Sequence, residues 1–166
     1  MKDDLIKILK ENNVVDKSKY ILKSGKVVDF YVDIKKAYGN PKAVNLICDA
    51  LWPKLDKNVT CIATSGLGGI TPASVLSTRY NLNLTMVRDK PKKWGRNTWI
   101  EGYVPNKTDK IAIIDDVFTT GGSLRKIIEV LKPTGADILG CYVVVKRGEG
   151  ELPVAFKYLM TADELF

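Results

Sequence analysis

From Val59 onward the chain alternates short apolar runs with helical stretches, and no other feature narrows the possible folds as far. Such alternation marks βαβ units and a mainly parallel sheet flanked by helices, an α/β fold. VTCIA (Val59–Ala63), LTMVR (Leu84–Arg88), KIAIID (Lys110–Asp115), ILGCYVVVK (Ile138–Lys146) and FKYLM (Phe156–Met160) read as strands. TSGLGG (Thr64–Gly69) reads as the loop after the first, and Thr71-Pro72 as the start of a helix running to about Arg79. Another helix is expected from Ser123, where Leu124, Ile127, Ile128 and Leu131 recur at helical spacing until Pro133 and Gly135 stop it.

Before Val59 the signals are mixed. Asp3 or Asp4 is a candidate cap for a first helix ending near Asn12–Asn13, and Asn40-Pro41 opens a second that Pro53 closes. Between them, two β-rich stretches flank Ser24-Gly25-Lys26 as a hairpin would. With 166 residues and no linker, repeat or low-complexity tract, a single domain is expected. The first residues alternate charged and apolar positions, and no apolar run approaches the roughly 20 residues of a membrane helix. A soluble, cytoplasmic protein is the expectation.

Charge and residue inventory restrict the chemistry. A formal charge of +7, from 26 basic and 19 acidic residues, suits nucleic acid, a membrane surface or a small polyanion alike. There is no histidine, which removes Ser-His-Asp and Cys-His catalysis and the usual zinc sets. Three scattered cysteines among apolar neighbours read as buried free thiols.

IAIIDDVFTTGGS (Ile111–Ser123) carries the strongest functional signal. In open α/β sheets, ligands gather at the carboxyl ends of strands, where Asp115 and Asp116 are expected to leave theirs. Thr119, Thr120, Gly121, Gly122 and Ser123 then lead into a helix N-terminus, whose unpaired amides and dipole favour an anion. Two carboxylates repel phosphate, but they accept hydrogen bonds from sugar hydroxyls and order magnesium, directly or through water. A phosphorylated ribose satisfies both halves. A plain strand-to-helix turn is the structural alternative; a P-loop lacks its Gly-Lys-Ser/Thr here, and no G-x-G-x-x-G follows the strand.

IIDDVFTTGGS closely resembles the phosphoribosyl-pyrophosphate (PRPP) motif of type I phosphoribosyltransferases. The resemblance implies that fold, with a small N-terminal hood over about residues 1–40 and a core over 41–166. It further implies that Asp115 and Asp116 hold the ribose hydroxyls, that Thr119 through Ser123 wrap the 5′-phosphate, and that Val117 and Phe118 belong to the same PRPP site. ILKSGKVVDFYVD is similar to the hood of orotate phosphoribosyltransferases, placing Lys23 near orotate. VVVKRGEG resembles the family's strand ending in an arginine that meets orotate, here Arg147, with Thr119 also against the base. TSGLGGI is similar to a pyrophosphate-binding loop, implying contacts from Ser65, Gly66, Leu67, Gly68 and Gly69.

RDKPKKWGRNTWIEG is similar to the family's catalytic loop, matched at Arg88, Lys92, Gly95, Glu101 and Gly102. By this resemblance Arg88, Asp89, Lys92 and Trp94 face PRPP, and Lys92, Asp115 and Asp116 are the catalytic residues. Magnesium is the implied cofactor, held through PRPP and water near Asp115 and Asp116 without certain direct ligands. A homodimer whose loop reaches the neighbouring subunit's site is implied too, with neither nucleic acid nor membrane as partner. The activity implied is transfer of the phosphoribosyl group from PRPP to orotate, giving orotidine 5′-monophosphate and pyrophosphate in pyrimidine synthesis.

The match is imperfect. Asp89 stands where the family usually has lysine, Trp94 where it has histidine or tyrosine, Gly68 where some members place lysine, and Lys146 where aspartate precedes the arginine. Lys90 or Lys93 is a candidate replacement for the missing loop cation. Transferases for purines or uracil, and a non-catalytic PRPP-sensing regulator that binds nucleic acid, are the competing readings.

Overall fold

The computed structural model describes residues 1–21, 25, 27–95 and 99–166. A six-stranded sheet carries the molecule, built from β5 (Cys61–Ser65), β6 (Asn83–Val87), β7 (Ile100–Gly102), β8 (Lys110–Phe118), β9 (Asp137–Lys146) and β10 (Phe156–Thr161). Their order is β10-β9-β8-β5-β6-β7, and every pairing is parallel except β6 with β7. The expected α/β architecture is therefore present. The sheet strands preceding it in sequence are short: β1 (Val15–Asp16) pairs with β4 (Tyr31–Val32), and β2 (Tyr20–Ile21) with β3 (Val27–Val28), both antiparallel. The latter pair is the expected hairpin, although Lys23, Ser24 and Lys26 lie outside the described residues.

Alternation along β8 explains its burial on both faces. Ala112 and Ile114 join the core beneath α1 (Lys2–Glu11), α2 (Pro41–Leu51) and α3 (Gly66–Tyr80), while Ile111 and Ile113 face α4 (Gly122–Leu131). The amphipathic helices lock on as their patterns predict: Val44, Ile47, Cys48 and Leu51 of α2, and Leu124, Ile127, Ile128 and Leu131 of α4, are buried. Asn40 caps α2, accepting from the Lys42 amide at 3.1 Å. All three cysteines are buried and free. Among the described residues no helix is long and apolar enough to cross a membrane.

Several boundaries differ from expectation. Neither Asp3 nor Asp4 caps α1, because the helix already begins at Lys2; both acids sit in its first turn and complement the helix dipole. TSGLGG is no loop: β5 runs to Ser65 and α3 starts at Gly66, so Thr71-Pro72 lies inside the helix. Glycines read as turn formers, but here they serve close packing, a tertiary demand that local sequence hides. β8 continues through Phe118, keeping Asp115 and Asp116 within the strand, and α4 begins at Gly122 instead of Ser123. The stretch 89–102, expected as one loop, ends in β7, whose three residues are too few to show periodicity.

Candidate active site

The carboxyl ends of β8 and β9 open into a cleft of about 680 Å³, closed on its far side by Tyr20, Ile21, Tyr31 and Val32. Its floor is the β8-to-α4 turn. Gly121 takes the left-handed conformation, φ +80°, and a side chain there would come within 2.8 Å of the Phe118 ring. Any other residue would be strained as well as crowded. From behind, Arg125 donates to the carbonyls of Thr120 at 2.7 Å and Glu151 at 2.9 Å. The segment after β9 presses on the same turn: a side chain at Gly148 would overlap the Thr119 carbonyl, and one at Gly150 would lie 2.8 Å from that of Thr120. Thr119, Thr120, Gly122 and Ser123 consequently face the cleft around the first amides of α4.

The two acids are not equivalent. Asp116 shares the face of Ile114, lines the cleft, and is half-buried beside Lys35, whose Nζ lies 3.8 Å away. Asp115 points to the opposite face, is only 8% exposed, and does not line the cleft. Its Oδ1 accepts from the Asp116 amide at 2.9 Å, and Asp116 in turn accepts from the Val117 amide at 2.8 Å. Burial, reinforced by the neighbouring Asp116 charge, pushes the Asp115 carboxyl up to about 8. Desolvation therefore favours its neutral form near physiological pH.

The first turn of α3 packs tightly beneath Asp116. A side chain at Gly68 would overlap the Asp116 carboxylate, and one at Gly69 would overlap the Thr64 hydroxyl. Lysine at position 68 is thus incompatible with this position of Asp116. Pro72 has no N–H, so the Gly68 carbonyl four residues earlier loses its helical donor. The Tyr38 hydroxyl replaces it at 2.5 Å, joining the 3-10 helix Ile34–Gly39 to the glycine turn. Neither Lys35 nor Tyr38 was singled out by sequence. DIKKAY carries no motif, and only the fold reveals what faces the acids.

Arg147, just beyond β9, lines the cleft. Its guanidinium donates to the Phe30 carbonyl at 2.7 Å and stacks on the Phe30 ring, 4.9 Å from the centroid. Lys23, the other residue expected at the base, lies outside the described residues.

The basic loop stands apart. None of its described residues lines the large cleft; Arg88, Asp89 and Lys90 border, with Gly66 and Val87, a neighbouring hollow of about 470 Å³. Arg88 and Lys92 both pair with Glu101, at 3.0 and 2.5 Å. Trp94 is 85% exposed. Asp89 lies 3.4 Å from the Ser65 hydroxyl, and its carbonyl accepts from Lys126, which also sits over the Trp99 ring. Lys126 belongs to α4, remote in sequence from the loop, which is why sequence reading missed it.

Among the described residues there is no cluster of three or more His, Cys, Asp or Glu side chains able to hold a metal. A half-buried carboxylate facing the cleft, beside a buried partner, suits magnesium bound mainly through ligand oxygens and water.

Comparison with known proteins agrees with this geometry. A phosphoribosyl transferase domain model matches residues 36–164. The chain is 39% identical over 153 residues to orotate phosphoribosyltransferase of Pyrococcus horikoshii, covering 90% of this chain and 82% of that protein. It is 35% identical to the Methanosphaera stadtmanae protein of the same description, covering 98% and 95%. The crystal structure of orotate phosphoribosyltransferase from Aeropyrum pernix superposes with a TM-score of 0.85 at 28% identity, covering 97% of this chain and 95% of that one.

Proposed function

This chain belongs to the phosphoribosyltransferase family, in its orotate phosphoribosyltransferase branch, and we propose that its cleft joins orotate to the ribose of PRPP. A ring nitrogen of orotate gives up its proton and bonds to the anomeric carbon as the bond from that carbon to pyrophosphate breaks, the proton and pyrophosphate both leaving. One observation carries the assignment: the anion-binding turn Thr119–Ser123, the Asp116 carboxylate and the Arg147 guanidinium face a single cleft. Their chemistry matches, in order, a phosphate, a pentose hydroxyl and a carboxylated base.

Each residue has a part set by its surroundings. The turn seats the 5′-phosphate on backbone amides that packing has already oriented, so little ordering is needed on binding. Asp116 accepts from a ribose hydroxyl, while buried Asp115 holds the Asp116 amide and orients it. Arg147, steadied on Phe30, and Lys23 meet the orotate carboxylate and imide. The glycine turn of α3 offers bare backbone to the diphosphate, and Arg88 and Lys92 stabilise the charge that develops on it. When bound, magnesium neutralises part of that diphosphate charge.

The described loop residues line none of their own large cleft, which favours a homodimer in which the loop serves the neighbouring subunit. Loop closure over the ribose also excludes water from an oxocarbenium-like centre. The test is to follow orotate absorbance with PRPP and magnesium, then repeat with Lys92→Ala. Turnover on orotate, reduced at least about 100-fold in the variant, is expected. Turnover only on another base refutes the choice of orotate. No turnover on any base, with salt-sensitive nucleic-acid binding, refutes catalysis itself.

A further inference from the structure

Glu101 lies on β7, directly across from Met86 of β6. One step beyond that ladder the Arg88 amide donates to the Trp99 carbonyl at 2.9 Å, closing the base of the loop. On this fixed base a single oxygen, Glu101 Oε1, receives Arg88 Nη1 at 3.0 Å and Lys92 Nζ at 2.5 Å. Two cations converging on one anionic oxygen is the arrangement a phosphate oxygen calls for. Arg88 and Lys92 are also the two cations assigned above to pyrophosphate. Paired with Glu101, neither lines the large cleft.

All three side chains are a third or more exposed: Arg88 41%, Lys92 38% and Glu101 34%. Ion pairs that open to water are weak and exchange readily. A carboxylate with one negative charge is displaced by a diphosphate with several, yet it suffices to hold the cations when no diphosphate is present.

We propose that Glu101 is an internal stand-in for pyrophosphate: a positioning residue that keeps Arg88 and Lys92 together between turnovers and surrenders both to the diphosphate. By recapturing them it also eases pyrophosphate out. This rests on the role proposed for Arg88 and Lys92, and the experiment separates the two.

The intact protein is titrated calorimetrically with inorganic pyrophosphate in the presence of magnesium. Glu101→Gln keeps the size and an acceptor but not the charge, and is expected to bind pyrophosphate about fivefold tighter. Unchanged or weaker binding overturns the proposal. Arg88→Ala and Lys92→Ala are each expected to weaken binding about tenfold. If both bind as the parent does, the assignment of these cations is wrong and the proposal falls with it. If they weaken while Glu101→Gln is no tighter, only the role of Glu101 falls. A second measurement needs no variant. Lys92 foremost, and Arg88 with it, hold the Glu101 carboxyl below its ordinary range, so its titration, followed by carbon NMR, is expected to move upward when pyrophosphate is added. A titration that does not move overturns the proposal.

Discussion

The β8-to-α4 turn and the basic loop both handle phosphate in the proposed reaction, yet they are built in opposite ways. The turn is wedged by backbone: Gly121, Gly148 and Gly150 leave no space for a side chain, and Arg125 braces it from behind. The loop is held by long, exposed side chains, Arg88 and Lys92 on Glu101 and Lys126 on the Asp89 carbonyl. The 5′-phosphate stays on the sugar throughout, so a rigid seat serves it. Pyrophosphate arrives bonded and leaves free, which calls for contacts that exchange. Rigidity and weakness are each matched to what the ligand does.

The strongest way to break the comparison is to crowd the rigid seat. Gly148→Ala places a methyl group against the Thr119 carbonyl, which is backbone and cannot swing aside. PRPP affinity, read by calorimetry, is expected to fall about 100-fold, the scale of losing hydrogen bonds to a charged group. Near-parent affinity would mean the turn is softer than its packing implies.

Next in size is the pH dependence of the buried acid on β8. Burial and the Asp116 charge raise the Asp115 carboxyl from 3.8 to about 8. Its native value lies above its unfolded one, so the unfolded chain loses the proton first as pH rises. The stabilisation is complete below pH 3.8 and drains away as pH climbs through about 8. Urea unfolding is expected to show declining stability across this window, and Asp115→Asn to flatten it. A variant with the parent's slope would assign the dependence elsewhere.

Tyr38 ties the 3-10 helix Ile34–Gly39 to the glycine turn, and its removal sharpens where rigidity ends. Tyr38→Phe leaves the Gly68 carbonyl without the donor that Pro72 cannot supply. A loss of about 1–3 kcal/mol in unfolding free energy is expected. The smallest effect belongs to the loop. Lys126→Met removes the contacts to the Asp89 carbonyl and the Trp99 ring, worth about 0.5–1 kcal/mol at an exposed site. A change in kcat/KM of about two- to fivefold is expected, with PRPP affinity steady. A large loss of PRPP affinity would make the loop part of the rigid seat.

How legible the molecule was follows the range of the interactions involved. Five of the six strands of the sheet and helices α2 and α4 could be read because their apolar spacing is local and their burial strong. Asp116 and Thr119–Ser123 could be placed together because they follow one another at the carboxyl end of one strand, whereas Arg147 was reached through its resemblance to the family's strand motif, and Asp115, expected beside Asp116, is turned away from the cleft. The start of α3 at Gly66 was not legible, since glycine resists helices and only the closeness of Asp116 and Thr64 demands it there. β7 was hidden by its three-residue length and by relying on β6 for its hydrogen bonds.

By itself the sequence determined the alternating α/β pattern, the absence of histidine chemistry and the acid-acid-small-residue string that suits a phosphorylated sugar. These are written in neighbouring residues, so local periodicity and side-chain chemistry suffice to read them. Tertiary structure alone decided that Asp115 is buried while Asp116 faces the cleft, that Tyr38 supplies the hydrogen bond Pro72 cannot give to the Gly68 carbonyl, and that Glu101 and Lys126 hold the loop. Each of these depends on contacts between segments far apart in the chain, which form only once the sheet and helices have packed.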